Sequence, residues 1–201
     1  DFRHRPHSLM SRIPRLALAC TLALAATAAH AQSFPGTIQL DVDATDLAHR
    51  VFKVREEIPV QAGTLRLYYP QWLPGNHGPR GPVDLIGGLR FSANGTALPW
   101  RRDPLDMYSF LVEVPAGATT LSAEFQYLSP MDRVQGRVVM TPEIIGLQWN
   151  AVVLYPAGFA ASKIQVAPSV DIPNGWHAGS ALELANAGDS SKLVYKSLNL
   201  D

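Results

Sequence analysis

The segment LRFSANGTALPW, residues 89–100, carries the strongest fold signal in the chain. Asn94-Gly95 lies between two short runs in which apolar and polar residues alternate. A type I′ turn needs positive φ at both central residues, and Asn-Gly is the pair that best tolerates this conformation. The segment therefore predicts a tight β-hairpin.

Other short runs show the same alternation with period two, which is typical of half-buried strands. The residues at 115–118 predict a turn that joins two of these runs in a second hairpin. About ten short strands separated by turns predict an all-β fold, either an antiparallel β-sandwich or an open β-saddle, with a closed barrel less favoured. The remaining strand candidates are 37–44, 51–60, 64–69, 108–114, 120–127, 146–154, 162–166 and 192–197.

The tract 70–88 differs from the rest because it is rich in proline and glycine. Proline fixes φ and glycine permits unusual φ values, so such a tract can hold one shape without the hydrogen bonds of a sheet. We expect a long irregular loop over these residues.

The N-terminal region has the order of a secretory signal peptide. Met10 is the first methionine, so residues 1–9 are expected to be an upstream artefact of the gene model. Residues 10–31 run from basic to apolar to small side chains, which predicts a helix that signal peptidase cleaves after Ala31. The apolar part is shorter than the roughly 20 residues that span a bilayer, so no stable membrane anchor is expected. The predicted location is the periplasm or the medium.

Composition limits the function of the remainder, 32–201. Cys20 is the single cysteine, and it lies early in the apolar run, where a lipid-attachment cysteine would not be placed. Cleavage after Ala31 would leave no thiol for a disulfide or a metal site. Of the 17 basic and 17 acidic residues of the whole chain, 4 and 1 precede residue 32, which leaves 13 basic and 16 acidic residues in 32–201. The net charge of about −3 and the lack of a basic cluster argue against a nucleic-acid partner. The length suits one domain.

The motifs of common hydrolases are missing from the sequence. His49, His77 and His177 are far apart, so no His-Glu-x-x-His zinc motif exists, and no serine lies in Gly-x-Ser-x-Gly. The glycine-rich stretch 75–81 lacks the Lys-Ser/Thr pair of a phosphate loop. We therefore assign no catalytic residue, no cofactor and no metal ligand to this chain.

The loop supplies the only candidate site, a cleft wall or domain interface. A metal-ligand or substrate role for His77 is less favoured than a surface histidine. Trp72 would be either a platform for a sugar or peptide or an anchor of the loop to the core, and the anchor is favoured. The candidate residues are Trp72, Pro74, Gly75, Asn76, His77 and Arg80.

Two further groups have simpler interpretations. Trp100 and Trp149 lie in strand-like runs and are expected in the core or on a sheet face. The charged segment 101–106 would form an ion-pair cluster or a cation site, but a solvated turn is favoured.

Several segments, taken in order, resemble one protein family. LRLYYPQWLPGN, residues 65–76, resembles the strand and Pro-x-Trp-x-Pro-Gly-Ser/Asn element in the N-terminal domain of glycyl-aminopeptidase-type zinc metallopeptidases, exported bacterial relatives of the thermolysin-like enzymes. The similarity covers most of 37–201. It continues through Gly88-Leu89, Ala93-Asn94-Gly95, Trp100-Arg101-Arg102-Asp103, Phe125-Gln126-Tyr127-Leu128-Ser129-Pro130, Gln148-Trp149-Asn150 and Leu154-Tyr155-Pro156-Ala157-Gly158.

The resemblance implies a signal peptide, a β-rich N-terminal domain and a zinc-binding catalytic domain with His-Glu-x-x-His, which this sequence ends before reaching. We therefore expect 32–201 to be the non-catalytic N-terminal β domain of an exported zinc aminopeptidase, truncated at its C-terminus. Its partner would be its own missing catalytic domain, and peptides would be the substrate of the parent, with zinc as the parent's cofactor. The alternative is a free-standing exported β-sandwich that binds glycans or peptides on Tyr68, Tyr69, Trp72 and Trp100.

Overall fold

Strands are the dominant secondary structure in residues 33–73, 75–131, 138–185 and 191–201, the part of the chain that the computed structural model describes. These residues belong to one unit, Ala31–Asp201. The described part contains fourteen strands: β1 Thr37–Asp46, β2 Val51–Pro59, β3 Gly63–Tyr68, β4 Ile86–Ala93, β5 Thr96–Leu98, β6 Trp100–Arg102, β7 Ser109–Val114, β8 Thr120–Leu128, β9 Val139–Met140, β10 Ile145–Gly146, β11 Tyr155–Pro156, β12 Gln165–Asp171, β13 Lys192–Val194 and β14 Leu198–Asn199.

Helical structure in these ranges is limited to three 3₁₀ helices, Val83–Leu85, Trp149–Ala151 and Ala161–Lys163. The prediction of an all-β fold is thus confirmed, with more strands than expected because several are only two or three residues long. The predicted signal-peptide helix, 10–31, lies outside the described residues. Nowhere in the described part does a helix have the length and hydropathy needed to span a bilayer.

The larger sheet has eight strands in the order β13-β12-β1-β2-β8-β4-β5, with β14 also paired to β12. All its pairs are antiparallel except β1 with β12, which run parallel from Thr37 opposite Gln165 to Asp43 opposite Asp171. The expectation of a purely antiparallel sheet is wrong at this pair. Alternation predicts that a strand has a buried face, but it does not specify the direction of a partner more than a hundred residues away.

The apolar face of this sheet forms the core. Ile38, Leu40 and Val42 of β1 are each at most 2% exposed, as their alternation predicts. The opposite face carries charges that pair across strands, for example Lys53 with Asp46 at 3.2 Å. Burial of the alternate side chains therefore sets the register of the central strands.

The second sheet has four strands in the order β11-β3-β7-β6. Its buried side chains, including Leu67 and Phe110, belong to the same hydrophobic core as those of the large sheet. A separate two-stranded ribbon pairs β9 with β10. The architecture is an open sandwich of two main sheets, which is one of the two predicted forms.

The two predicted hairpins have different outcomes. Asn94 and Gly95 have φ values of 51° and 76°, so the turn between β4 and β5 is confirmed. The second hairpin is wrong, because β7 belongs to the small sheet and β8 to the large one. The turn at 115–118 carries the chain from one sheet to the other. Both strands bury an apolar face in the shared core, so their patterns alone do not distinguish this crossing from a hairpin.

The predicted strand over 146–154 is also wrong. It is strand only at Gly146, the end of β10, and then forms the 3₁₀ helix Trp149–Ala151 and a buried irregular run up to Leu154. A short apolar run with no clear period does not specify its secondary structure. Residues 149–154 are called the buried crossover below.

The buried crossover is fastened to the strands by two side chains. The Oε1 atom of Glu56, on β2, accepts a hydrogen bond of 2.6 Å from the Leu154 N–H. The Tyr69 hydroxyl donates to the Ala151 carbonyl at 3.0 Å. Glu56 is 0% exposed, and burial raises the pKa of its carboxyl group well above the ordinary value. Its Oε2 atom has no hydrogen-bond partner among the described residues.

The loop predicted over 70–88 is irregular only as far as Pro82, because the 3₁₀ helix and β4 follow. The loop closes on itself at its base. The Gly81 N–H donates to the Gln71 carbonyl at 3.0 Å, and Trp72 forms an isolated antiparallel bridge with Pro79. A Cβ atom on Gly81 would lie 1.8 Å from the Pro70 carbonyl oxygen. Only glycine permits this approach.

Replacing Glu56 by glutamine should change how stability depends on pH. The folded state keeps the Glu56 proton at pH values where the unfolded chain, with the ordinary pKa of 4.5, has released it. Stability from this group is therefore complete below that pH and falls as the pH rises towards the folded pKa. We expect the free energy of unfolding of Glu56→Gln, relative to wild type, to rise by about 1.4 kcal/mol per pH unit between the two pKa values.

Urea unfolding at a series of pH values from 5 to 8 measures this slope. The exposed Glu143→Gln variant is the control for losing one carboxylate. Parallel pH profiles for Glu56→Gln and wild type would show that Glu56 does not hold a proton in the folded protein.

Replacing Gly81 by alanine should disrupt the base of the loop. The added methyl group meets the Pro70 carbonyl oxygen, and such overpacking lowers the free energy of unfolding by about 1–3 kcal/mol. Gly78→Ala is the matched control, because the nearest atom to its Cβ is the Arg80 Nε at 4.0 Å. Denaturant unfolding followed by tryptophan fluorescence compares the two. Equal stability of the two variants would disprove the close approach.

Candidate functional site

A cavity of about 530 Å³ opens beside the base of the loop. Its wall includes residues of both main sheets, such as Leu40 and Val166 from the large sheet and Tyr68 from the small one. The buried crossover, the first residues of the loop, Leu182 and residues 198–201 also line it. Six aromatic side chains line it: Tyr68, Tyr69, Trp72, Tyr108, Trp149 and Tyr155.

Strand pairing and hydrogen bonds hold several of these rings in place. Tyr68 and Tyr155 lie opposite each other where β3 pairs with β11, and their ring centroids are 5.9 Å apart. The Tyr108 hydroxyl donates to the Pro79 carbonyl at 3.1 Å, which ties this ring to the loop. Trp149 packs edge to face against Tyr195 at 5.7 Å. Contacts within the fold therefore hold these aromatic rings in place along the wall.

Besides the tyrosine hydroxyls, the polar side chains among the described lining residues are Gln71, Asp106, Asn150, Asn199 and Asp201. The Oδ1 atom of Asp106 accepts a hydrogen bond of 3.0 Å from the Tyr108 N–H. Burial, then Tyr68, then the Asp106 carboxylate raise the pKa of Tyr155. Asn150 also lines the cavity, and its Oδ1 atom is buried without a hydrogen-bond partner in the described part of the chain. No lysine, arginine or histidine is among the described lining residues.

Of the predicted loop-site residues that the structure describes, only Trp72 lines the cavity. It is 66% exposed, so the favoured interpretation of Trp72 as an anchor in the core is wrong. Gly75, Asn76, His77 and Arg80 are exposed at or near the tip of the loop and do not line the cavity. Pro74 lies outside the described residues.

The other tryptophans follow their expectations in part. Trp100, which was expected in the core or on a sheet face and as part of the alternative platform, packs against Phe91 and Phe110 and donates its Nε1–H to the Leu89 carbonyl at 3.0 Å. It does not line the cavity. Trp149 contacts the core but lies in a 3₁₀ helix rather than a strand.

The charged segment 101–106 forms no cluster of its own. Asp103 pairs with Arg66 at 2.6 Å, and Arg102 lies over the ring of Phe110 at 4.8 Å from its centroid. The Leu105 N–H and Arg66 lower the pKa of Asp103. Arg101 and Arg102 belong to β6, and the turn before β7 begins at Asp103, so the favoured interpretation of a turn holds for 103–106 only.

The sequence patterns did not predict the cavity, because its residues come from segments that are far apart in the chain. Tyr68 and Tyr69 were considered for a platform, but Tyr108 was assigned only to a strand and Tyr155 was named only in the family resemblance. Both precede or follow turn-forming residues, in Asp-Met-Tyr and Tyr-Pro, and this was the available signal that they end a strand rather than fill a core.

Metal-ligating side chains do not converge in the described ranges. No group of three His, Cys, Asp or Glu residues there is arranged to hold an ion. His49, for example, lies beside Asp46 with its Nδ1 atom 2.7 Å from a carboxylate oxygen. Among the described residues, the arrangement best suited to bind and orient a ligand is therefore the aromatic cavity.

Solved structures share the fold. An aminopeptidase N family protein from Idiomarina loihiensis aligns over 82% of this chain with 18% identity and a TM-score of 0.70. The chain spans 27% of the length of that protein. More distant matches are the yeast LTA4 hydrolase bound to bestatin, with 10% identity, 82% and 27% coverage and a TM-score of 0.45, and the M1 zinc metallopeptidase from Deinococcus radiodurans, with 11% identity, 84% and 39% coverage and a TM-score of 0.45.

Comparison with curated protein sequences found no match. The family model described as the Peptidase M61 N-terminal domain matches residues 39–201, which is most of the chain. This match confirms the resemblance that the segment 65–76 and its companions indicate. The chain belongs to the Peptidase M61 N-terminal domain family.

Proposed function

We propose that 32–201 is the non-catalytic N-terminal β domain of an exported zinc metallo-aminopeptidase. It packs on a catalytic domain, and the loop closed by Gly81 shapes one wall of the cleft between the two. The family match carries the peptidase assignment. The zinc and the peptide substrate belong to the parent enzyme that the resemblance implies, and export follows from the signal-peptide pattern at 10–31.

An exposed apolar surface beside the cavity supports the packing role. Trp72, Leu105 and Met107, called the apolar rim below, are 66%, 96% and 58% exposed. Leu105 and Met107 flank Asp106, which lines the cavity, and the Tyr108–Pro79 hydrogen bond joins their turn to the loop. Apolar side chains grouped on a surface mark sites where another surface packs. Binding pockets also form preferentially at domain interfaces.

The second candidate is a free-standing exported module that binds glycans or peptides. The aromatic cavity favours it, since exposed rings such as Trp72 stack on sugars and peptide side chains. The nucleotide sequence after codon 201 separates the two candidates. An in-frame continuation that encodes His-Glu-x-x-His supports the domain of a peptidase, and a stop codon supports the free module.

The chain alone should not hydrolyse peptides. The assay uses the purified 201-residue protein with peptides that begin in glycine or alanine, with zinc added, and amino-acid release as the measurement. We expect no turnover above that of buffer with zinc. Robust turnover that a chelator abolishes would contradict the non-catalytic role.

Shortening Trp72 to alanine should weaken docking to the catalytic domain. Buried tryptophans are common hot spots of interfaces, so the affinity for a separately produced catalytic domain should fall by at least about tenfold. Ile144→Ala is the control, because Ile144 is a comparably exposed apolar residue, 58% exposed, on the β9–β10 connection. Titration calorimetry measures both. Equal losses of affinity in Trp72→Ala and Ile144→Ala would show that the apolar rim is not part of the interface.

A further inference from the structure

The chemistry of the cavity wall is unusual in having aromatic faces and negative charge without any basic group. Its rings are those of Tyr68, Tyr155, Trp72 and their neighbours, and no lysine, arginine or histidine is among the described lining residues. A wall of this composition attracts one class of ligand more than any other. The faces of aromatic rings carry negative electrostatic potential, which attracts a cation placed over them.

Two of the four tyrosine hydroxyls of the wall are already used by the fold. The Tyr69 hydroxyl donates to the Ala151 carbonyl and the Tyr108 hydroxyl to the Pro79 carbonyl. A sugar would need several polar partners to replace its hydration, and these two hydroxyls cannot donate to it without breaking internal bonds. Tyr69 and Tyr108 therefore present ring surface rather than free donors to the cavity.

Acceptor side chains complete the wall, among them Asp106 and Asn150, with Gln71, Asn199 and Asp201 also lining the cavity. Asp106 supplies a carboxylate, of which Oδ1 is held by the Tyr108 N–H. Asn150 supplies a buried Oδ1 that lacks a hydrogen-bond partner in the described chain. A buried carbonyl oxygen without a partner is costly, and a ligand N–H would satisfy it.

We propose that the cavity is a binding site for a small organic ammonium ion with an apolar or aromatic body. The body lies among the rings, and the ammonium group lies over the ring faces within reach of Asp106 and Asn150. The volume of about 530 Å³ is in the range of small-molecule pockets. This assignment does not depend on whether the domain packs on a peptidase.

The test compares a cation with a neutral molecule of the same shape. The probes are 2-phenylethylammonium and 2-phenylethanol, which share the ring and the linker and both can donate a hydrogen bond. Titration calorimetry on the 201-residue protein at neutral pH measures each affinity. We expect saturable binding of the amine, about tenfold or more tighter than that of the alcohol, from the cation–π and carboxylate contributions.

Three variants test which residues cause the preference for the amine over the alcohol. Asp106→Asn keeps the Oδ1 acceptor for the Tyr108 N–H and removes only the charge, so it should preserve the turn and reduce the preference for the amine by about threefold or more. Tyr155→Leu removes a ring of the wall and should weaken the amine further. Phe159→Leu is the aromatic control, because Phe159 packs on Phe34 outside the cavity and should keep the preference.

The outcomes are decisive even if Tyr155→Leu does not fold, because Asp106→Asn and the two probes remain. Equal affinities for the amine and the alcohol would show an apolar pocket without cation selectivity and would overturn the proposal. So would the absence of binding by both probes, or an unchanged preference in Asp106→Asn.

Discussion

The buried carboxyl group of Glu56 accepts a hydrogen bond from Leu154, 98 positions further along the chain, and the arrangement of the cavity depends on this contact. The buried crossover has few ladder bonds of its own, so its position is set by Glu56 and by the Tyr69–Ala151 bond. Trp149 and Asn150 begin this segment and line the cavity. A single buried acceptor on β2 thus links the large sheet to the wall of the candidate site. An isolated buried carboxyl is costly to keep, which makes its one hydrogen bond an important constraint.

The sequence predicted local features much better than distant ones. The alternation in β1 and β2 and the Asn94-Gly95 turn depend on neighbouring residues, and all three were predicted correctly. The parallel pair of β1 with β12 and the passage of the chain from β7 to β8 depend on packing in the shared core, which no local pattern encodes. The buried crossover was mistaken for a strand because its apolar run has no period that separates a strand from an irregular buried segment.

In the candidate site, too, local features were predictable from the sequence and features that depend on distant residues were not. The proline-glycine loop was identified from composition, and Gly81 explains why it has a defined shape, since no other residue permits the contact with the Pro70 carbonyl. Trp72 does lie in this loop, but the expectation that it anchors the loop to the core is wrong. Burial of a side chain depends on which residues from other segments pack against it, and a local pattern does not show them. Tyr108 lies directly before β7 and Tyr155 lies on β11, and both strands belong to the second sheet. Their convergence on one cavity follows from topology, which is the least local property of the fold.

The polar side chains of this domain are largely committed to holding the fold together. Arg66 pairs with Asp103, and the Tyr69 and Tyr108 hydroxyls bond to backbone carbonyls. What remains open to a partner is surface of another kind: the exposed apolar rim and the aromatic wall behind it. A protein that uses its donors internally and exposes rings is suited to recognise shape and charge rather than to move protons. These surfaces belong to a chain of the Peptidase M61 N-terminal domain family.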